Sequence, residues 1–364
     1  MMRPAAAILF LIFLLLRTLT GQISFVCQGD FYLTLNSGGA SSLYRVGIDL
    51  PANRVTFEQL GSGGLGVSIN AIGFRSTDYF IYGINEENNG LYRISADGSA
   101  ELLATLEDLP EQWGYPAGDV SPDGRYLVLL AGQGEFFIGG EGSSEALVFI
   151  DLEAPDYSVR VQPLPPNDIR CFDIAFDPLG DMIYGFDAIH RELVLFDPGS
   201  GAITTGFAPD PRAVLLGTLF FDGGGRLFGY GSTEVSGSQN TLFQFDPLTG
   251  AVLSATAGPT VTRSDGCSCP YTIILEATID PERSYACSEF IVTYIIINTS
   301  GGIRDGLVLE AGFPEGVLVT WIDDPLEGRI IEGAGGNTLR IDQLALPPGE
   351  SVIEVRLRSE VDVS

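Results

Sequence analysis

The feature that most restricts this chain is a unit written five times. An apolar strand closed by a turn appears as LYRVGIDLP from Leu43, LYRISADGS from Leu91, LVFIDLEAP from Leu147, LVLFDPGSG from Leu193 and LFQFDPLTG from Leu242. Aromatic and β-branched residues suit a half-buried pleated surface, and the acidic, Pro and Gly residues that follow turn the chain back. Each copy is followed by a second strand-like run: RVTFEQL at Arg54, AELLATL at Ala100, YSVRVQPL at Tyr157, AITTGFA at Ala202 and AVLSATA at Ala251. Each is preceded by another: FYLTL at Phe31, YFIYGI at Tyr79, YLVLL at Tyr126, MIYGF at Met182 and LFGYG at Leu227. Four copies also carry an earlier strand with its turn: INAIGFRSTD, AGDVSPDG, FDIAFDPLGD and GTLFFDGGG.

Four short strands per unit at this period are the pattern of a β-propeller, whose sheets stack around an axis. The first unit lacks its initial strand, and TVTRSDGCSC from Thr260 stands past the fifth unit with the right turn chemistry to supply it. Pairing of that segment with the first strand would close the ring and hide two sheet edges. The expected fold is therefore all-β: a five-bladed propeller closed by its N- and C-terminal strands. Six blades is the competing count, because the long third unit has room for an extra hairpin.

The repeat stops at Pro270. YTIILEATI, FIVTYIIINTS, LVLEAGFP, VLVTWI, NTLRIDQLALPPGES and VIEVRLRSE alternate like sandwich strands. About 95 residues suit one immunoglobulin-like β-sandwich, here with its last strand expected to be short or missing. At the other end, MMRPAAAILFLIFLLLRTLTG has a basic start and an apolar block too short to span a bilayer. It reads as a secretory signal peptide, or alternatively as a retained anchor. The expected divisions are 1–21 signal peptide, 22–269 propeller and 270–364 sandwich, in a secreted, extracellular or cell-envelope protein with no membrane span after signal cleavage.

Export admits disulfides. With Cys27 just before the first strand and Cys267 and Cys269 at the end of the closing strand, Cys27 is expected to pair with one of the latter two. Cys171 reads as a buried free thiol, and the pairing of Cys287 is left open. Cys-Ser-Cys as a redox or metal motif is the weaker alternative, since the single histidine, His190, lies in another unit.

The net charge is -28, and all 19 basic residues are Arg. Such a surface repels phosphate backbones, so nucleic acid is excluded as a partner. No metal site or cofactor is expected: calcium loops, H-E-x-x-H, G-x-S-x-G and the Gly-Lys-Ser/Thr phosphate loop are all missing from the sequence. Propellers bind or catalyse where their first strands converge. The ligand-binding candidates are accordingly Asn70, Asp119, Asp173 and Arg263 on those strands, with Thr218, together with Trp113 and Tyr115 just before the third unit. Asp123, Asp177, Asp222 and Asp265 are expected to cap turns, His190 to be a surface residue, and Phe136 and Phe137 to form a loop rim.

NAIGFRSTDYFIYGI, YPAGDVSPDGRYLVL, FDIAFDPLGDMIYGFD and LGTLFFDGGGRLFGYG resemble an uncharacterised family of secreted bacterial β-propellers, over roughly Phe25 to Cys269. The tail, YTIILEATIDPERSYACSEFIVTYIIINTSGG, is similar to a bacterial Ig-like surface repeat, with Ala277 in place of that repeat's usual Lys. The resemblance implies an exported surface protein but no known activity. The resulting expectation is a non-enzymatic binding or scaffold protein whose partner is a glycan or protein at the cell surface. The alternative is a glycan-processing hydrolase using Asp119 and Asp173 as an acid/base pair.

Overall fold

The computed structural model describes residues 22–360 except 28, 37–38, 50–51, 86, 111–112, 134–141, 179–181, 235–237, 270–272, 281–286, 299–302 and 348. The expected signal peptide and the Phe136–Phe137 rim lie outside the described residues. Among the described residues every regular element is a β-strand. The strands begin with β1 (Phe31–Leu35), β2 (Ser42–Asp49) and β3 (Arg54–Leu60). Next come β4 (Asn70–Arg75), β5 (Phe80–Asn85), β6 (Gly90–Ile94) and β7 (Ala100–Thr105). The third group is β8 (Gly114–Val120), β9 (Tyr126–Gln133), β10 (Ser143–Asp151) and β11 (Val159–Pro163). The fourth is β12 (Ile174–Phe176), β13 (Ile183–Asp187), β14 (Glu192–Phe196) and β15 (Ile203–Thr204). The fifth is β16 (Leu215–Phe221), β17 (Leu227–Ser232), β18 (Gln239–Phe245) and β19 (Val252–Val261), followed by β20 (Ser264–Ser268).

Each group forms one antiparallel four-stranded sheet, and β20 completes the first in the order β20-β1-β2-β3. That pairing joins the seam in register, with Leu33 opposite Gly266 and Thr34 opposite Asp265. The first strands touch in a closed circuit, β20 to β4 to β8 to β12 to β16 and back to β20. This is a propeller-like arrangement.

The sheets stick together because their middle strands are apolar on both faces. Leu127 through Ala131 on β9 and Leu147 and Val148 on β10 are all completely buried. One face packs with Ile84, Leu91 and Tyr115, and the other with Cys171, Ile174 and Phe196. This both-faces burial explains why the middle strands read as continuous apolar runs rather than alternating ones. Outer strands such as β3 and β7 are mixed and partly exposed. Small residues let the first strands approach: a Cβ added to Gly73 would lie 2.2 Å from the Val120 backbone nitrogen, and one on Gly266 2.2 Å from Thr218 Cγ2.

The tail forms two sheets. One is β21 (Ile273–Asp280), β22 (Glu289–Asn298), β27 (Gly349–Ser359) and β24 (Val317–Asp323) in that order; the other is β23 (Arg304–Gly312), β26 (Thr338–Leu346) and β25 (Arg329–Glu332). Val292, Tyr294, Val355 and Leu357 of the first share a core with Leu309, Leu339 and Ile341 of the second. β27, which contains the VIEVRLRS segment, has 11 residues and is central, paired with both β22 and β24, and its buried positions alternate strictly from Ser351 to Ser359. The strand expected to be short or missing would follow it and lies outside the described residues.

Candidate ligand site

The polar residues at the centre form a circuit of their own. On β4, Asn70 Nδ2 donates to the Pro116 carbonyl on β8 at 3.0 Å. Asp119 on β8 accepts from the Phe176 N–H of β12 at 2.9 Å. Asp173, just before β12, accepts from the Leu219 N–H of β16 at 2.6 Å. Thr218 Oγ1 on β16 donates to Ser264 Oγ on β20 at 2.7 Å. Asp265 on β20 accepts from the Ile72 N–H of β4 at 2.7 Å. Every first strand thus reaches its neighbour in the same rotational sense. The second oxygen of each of these aspartates accepts from its own following residue: Val120, Ile174 and Gly266. Ala71 turns into the left-handed region (φ 52°) immediately before Ile72, whose N–H then meets Asp265. That conformation costs a non-glycine residue about 1–2 kcal/mol, and a hydrogen bond to a carboxylate offsets it.

Burial governs the protonation of these carboxyls. Asp173 and Asp265 are nearly inaccessible (2% and 1%). Burial raises both well above the ordinary carboxylate range, and Asp173 is raised further by the nearby charge of Asp265. The pair is suited to hold one shared proton. Asp119 keeps part of its surface open, yet sits deep enough for burial to push it up to about 7, against the opposing bonds from Phe176 and Val120.

The structure brings together Asn70, Asp119 and Asp173 and adds Thr218, but not the remaining candidates. Arg263 is exposed ahead of β20, its carbonyl accepting from Asn36 N–H. The Tyr115 ring is 1% exposed, part of the core, with its hydroxyl donating to the Pro110 carbonyl. Trp113 is half-buried against the same core. Asp265 is corrected: it is not a turn cap but a strand residue tying β20 to β4. Asp123 and Asp222 do cap turns, accepting from the N–H groups of Arg125 and of Gly224 and Arg226. Cys27 is bonded to Cys269. Cys171 and Cys267 are buried free thiols and Cys287 an exposed one.

Sequence reasoning missed a second place. A cavity of about 500 Å³ opens between the 165–169 connection, the β13–β14 hairpin and β15. Its walls carry His190, Glu192, Asp168 and Thr205 beside Pro165, Pro166, Ile169 and Ile203. The completely buried Asp187 fixes it from behind. Asp187 Oδ2 meets His190 Nδ1 at 2.5 Å, and Oδ1 accepts from the N–H groups of Arg170 and Ile189 at 3.0 Å each. The hydrogen bond to Asp187 raises the His190 pKa, with smaller help from Asp168 and Glu192. Asn167 stiffens the opposite wall, donating to the Ser144 and Pro165 carbonyls at 2.8 Å. Among the described residues no group of three or more His, Cys, Asp or Glu side chains is arranged to hold a metal ion.

A family model described as a repeat of unknown function, DUF6923, matches residues 31–271. The chain belongs to this repeat family. No curated protein matches it. Among solved structures it is similar to the gluconolactonase XC5397 of Xanthomonas campestris (15% identity, 73% of this chain and 86% of that one, TM-score 0.41). It is also similar to a luciferin-regenerating enzyme (12% identity, 75% and 85%, TM-score 0.39). A third is the hydrazine synthase of Kuenenia stuttgartiensis (13% identity, 65% of this chain, TM-score 0.36), of which this chain spans only 58%. Likenesses at this level assign no activity, substrate or partner. They do correct the expectation of a non-enzyme: structures similar to this chain include enzymes, so a missing sequence motif does not decide the question.

Proposed function

We propose that this chain is an exported binding module of the cell envelope or extracellular space, which presents a glycan-binding rim on a five-bladed propeller (22–269) followed by an Ig-like sandwich (270–364). The Cys27–Cys269 bond supports an oxidising environment, and the apolar N-terminal block supports export. The observation that carries the reading is the division of labour between the two polar places. At the centre, the carboxylates of Asp119, Asp173 and Asp265 are committed to backbone N–H groups of neighbouring strands. Polar side chains with exposed atoms, His190 and Asp168 among them, line the cavity beside the β13–β14 hairpin.

The test is a glycan array probed with the purified protein, with products of the same incubations read by mass spectrometry. Saturable binding to a defined glycan class is the expected result. Absence of binding to any glycan overturns the ligand class. Turnover that disappears in Asp119→Asn would return acid–base chemistry to the central carboxyls and overturn their assignment as ties.

A further inference from the structure

The β5–β6 and β13–β14 hairpins turn in the same way but are capped differently. In the first, Asn85 Oδ1 accepts from the N–H groups of Glu87 and Asn88, and its amide donates to the Ser68 carbonyl. In the second, a buried carboxylate, Asp187, takes the same place and accepts from Ile189 and His190 N–H. A neutral amide therefore suffices for the turn, and the Asp–His combination has a consequence the turn does not require. Because a carboxylate accepts only, Nδ1 carries a hydrogen in either protonation state; Nε2 is a bare acceptor in the neutral imidazole and a donor in the imidazolium that Asp187 favours. Nε2 lies on the cavity wall, 3.7 Å from Asp168 Oδ2. That separation is too long for a hydrogen bond and suits an O–H placed near both atoms. Glu192, whose Oε1 already takes the Gly206 N–H at 3.3 Å, adds a further acceptor.

We propose that this cavity is the sugar site of the protein, with Asp168 and Glu192 accepting hydrogen bonds from sugar hydroxyls and His190 Nε2 accepting from a hydroxyl when neutral and donating to one when protonated. A wall rich in acceptors is complemented by a ligand rich in O–H donors, and Pro165 and Ile203 offer an apolar surface to the ring's C–H face. The groups that fix the imidazole are held from behind: Asp187 also takes the N–H of Arg170, which follows the 165–169 wall directly. The site is therefore formed before ligand arrives, which lowers the ordering cost of binding. The proposal rests on the glycan reading above and gives it a location.

The chain has a single histidine, so its imidazole Hε1 proton gives one NMR signal with no competing resonance. That signal is followed while glucose, galactose, mannose and N-acetylglucosamine, and any sugar retained on the array, are added at physiological salt. At least one sugar is expected to shift it saturably. Urea unfolding of Glu192→Gln and His190→Gln, run alongside, separates a folding defect from a loss of binding. Glu192→Gln is expected to weaken the effect about tenfold, the cost of losing a hydrogen bond to a charged acceptor. His190→Gln should abolish binding measured by calorimetry. A positive array with an unmoved histidine signal overturns the site and leaves the glycan reading standing; a negative array overturns both. A shift produced by a short alkyl diamine and by no sugar, or one unchanged in Glu192→Gln, overturns the proposal as well.

Discussion

Replacing Asp119 by Asn tests the carboxylate ties through the pH dependence of stability. Burial raises the Asp119 pKa from 3.8 to about 7 in the folded protein. An acid whose folded pKa lies above its unfolded value contributes stability that is fully present below pH 3.8 and is lost as pH rises through 7. The folded state holds a proton that the unfolded chain has released, so the slope of unfolding free energy against pH is negative in that window. The full shift of about three pH units corresponds to roughly 4 kcal/mol; because part of the side chain meets solvent, about 2–4 kcal/mol is the working range. Asparagine carries no such pH term. It keeps one acceptor for the Val120 and Phe176 N–H groups and turns its own amide toward the other, a cost of about 1–3 kcal/mol at every pH. At pH 5 the variant should therefore be the less stable protein, and by pH 8 the gap should close or reverse. The assay is urea unfolding at half-unit pH steps, followed by Trp113 fluorescence in a Trp321→Phe background, since Trp113 packs on the core of the neighbouring sheets. Curves for the two proteins that stay parallel from pH 4 to pH 8 would refute the reasoning.

Other perturbations probe the closure and packing of the ring. Gly73→Ala places a Cβ 2.2 Å from the Val120 backbone nitrogen, and backbone cannot rotate away as a side chain can; a loss above about 2 kcal/mol is expected in urea, and a neutral effect would show that β4 and β8 are further apart. Cys27→Ser opens a bond spanning 242 residues and should cost about 2–5 kcal/mol in thermal or urea unfolding, with peptide mapping of the unreduced wild type recovering Cys27 joined to Cys269 and Cys267 as a free thiol. Leu129→Ala, at a completely buried position, should lose about 2–5 kcal/mol, whereas Leu248→Ala, 84% exposed, should stay within about 0.5 kcal/mol.

The strands were legible because the repeat wrote each sheet with the same apolar runs and turn residues. β20 was also legible, from its place after the fifth unit, but its key residue was not. In SDGCS the pair Asp265-Gly266 looks like a turn, while in the structure it is extended and its glycine is needed for close approach to Thr218. Asp119 and Asp173 were recognised as central, but which lone pairs remain free depends on the neighbouring strand, which no single segment encodes. Tyr115 drew notice as an aromatic near a strand start, and only packing between sheets shows that its ring is enclosed. His190 went unvalued because its partner Asp187 reads as an ordinary turn residue. Their pairing across the turn, and the cavity made with the 165–169 segment, come from tertiary placement. The strict alternation of β27 was visible in VIEVRLRS, but its central place in the sheet was not.

Amide hydrogen exchange at the three tied positions tests the central claim most directly. The N–H groups of Ile72, Phe176 and Leu219 should be among the slowest to exchange, opening only with unfolding of the ring, and Asp119→Asn should speed exchange at Phe176 more than at Ile72 or Leu219. Fast exchange at all three in the native protein would contradict the account, because the carboxylates would then be free to meet a ligand at the centre.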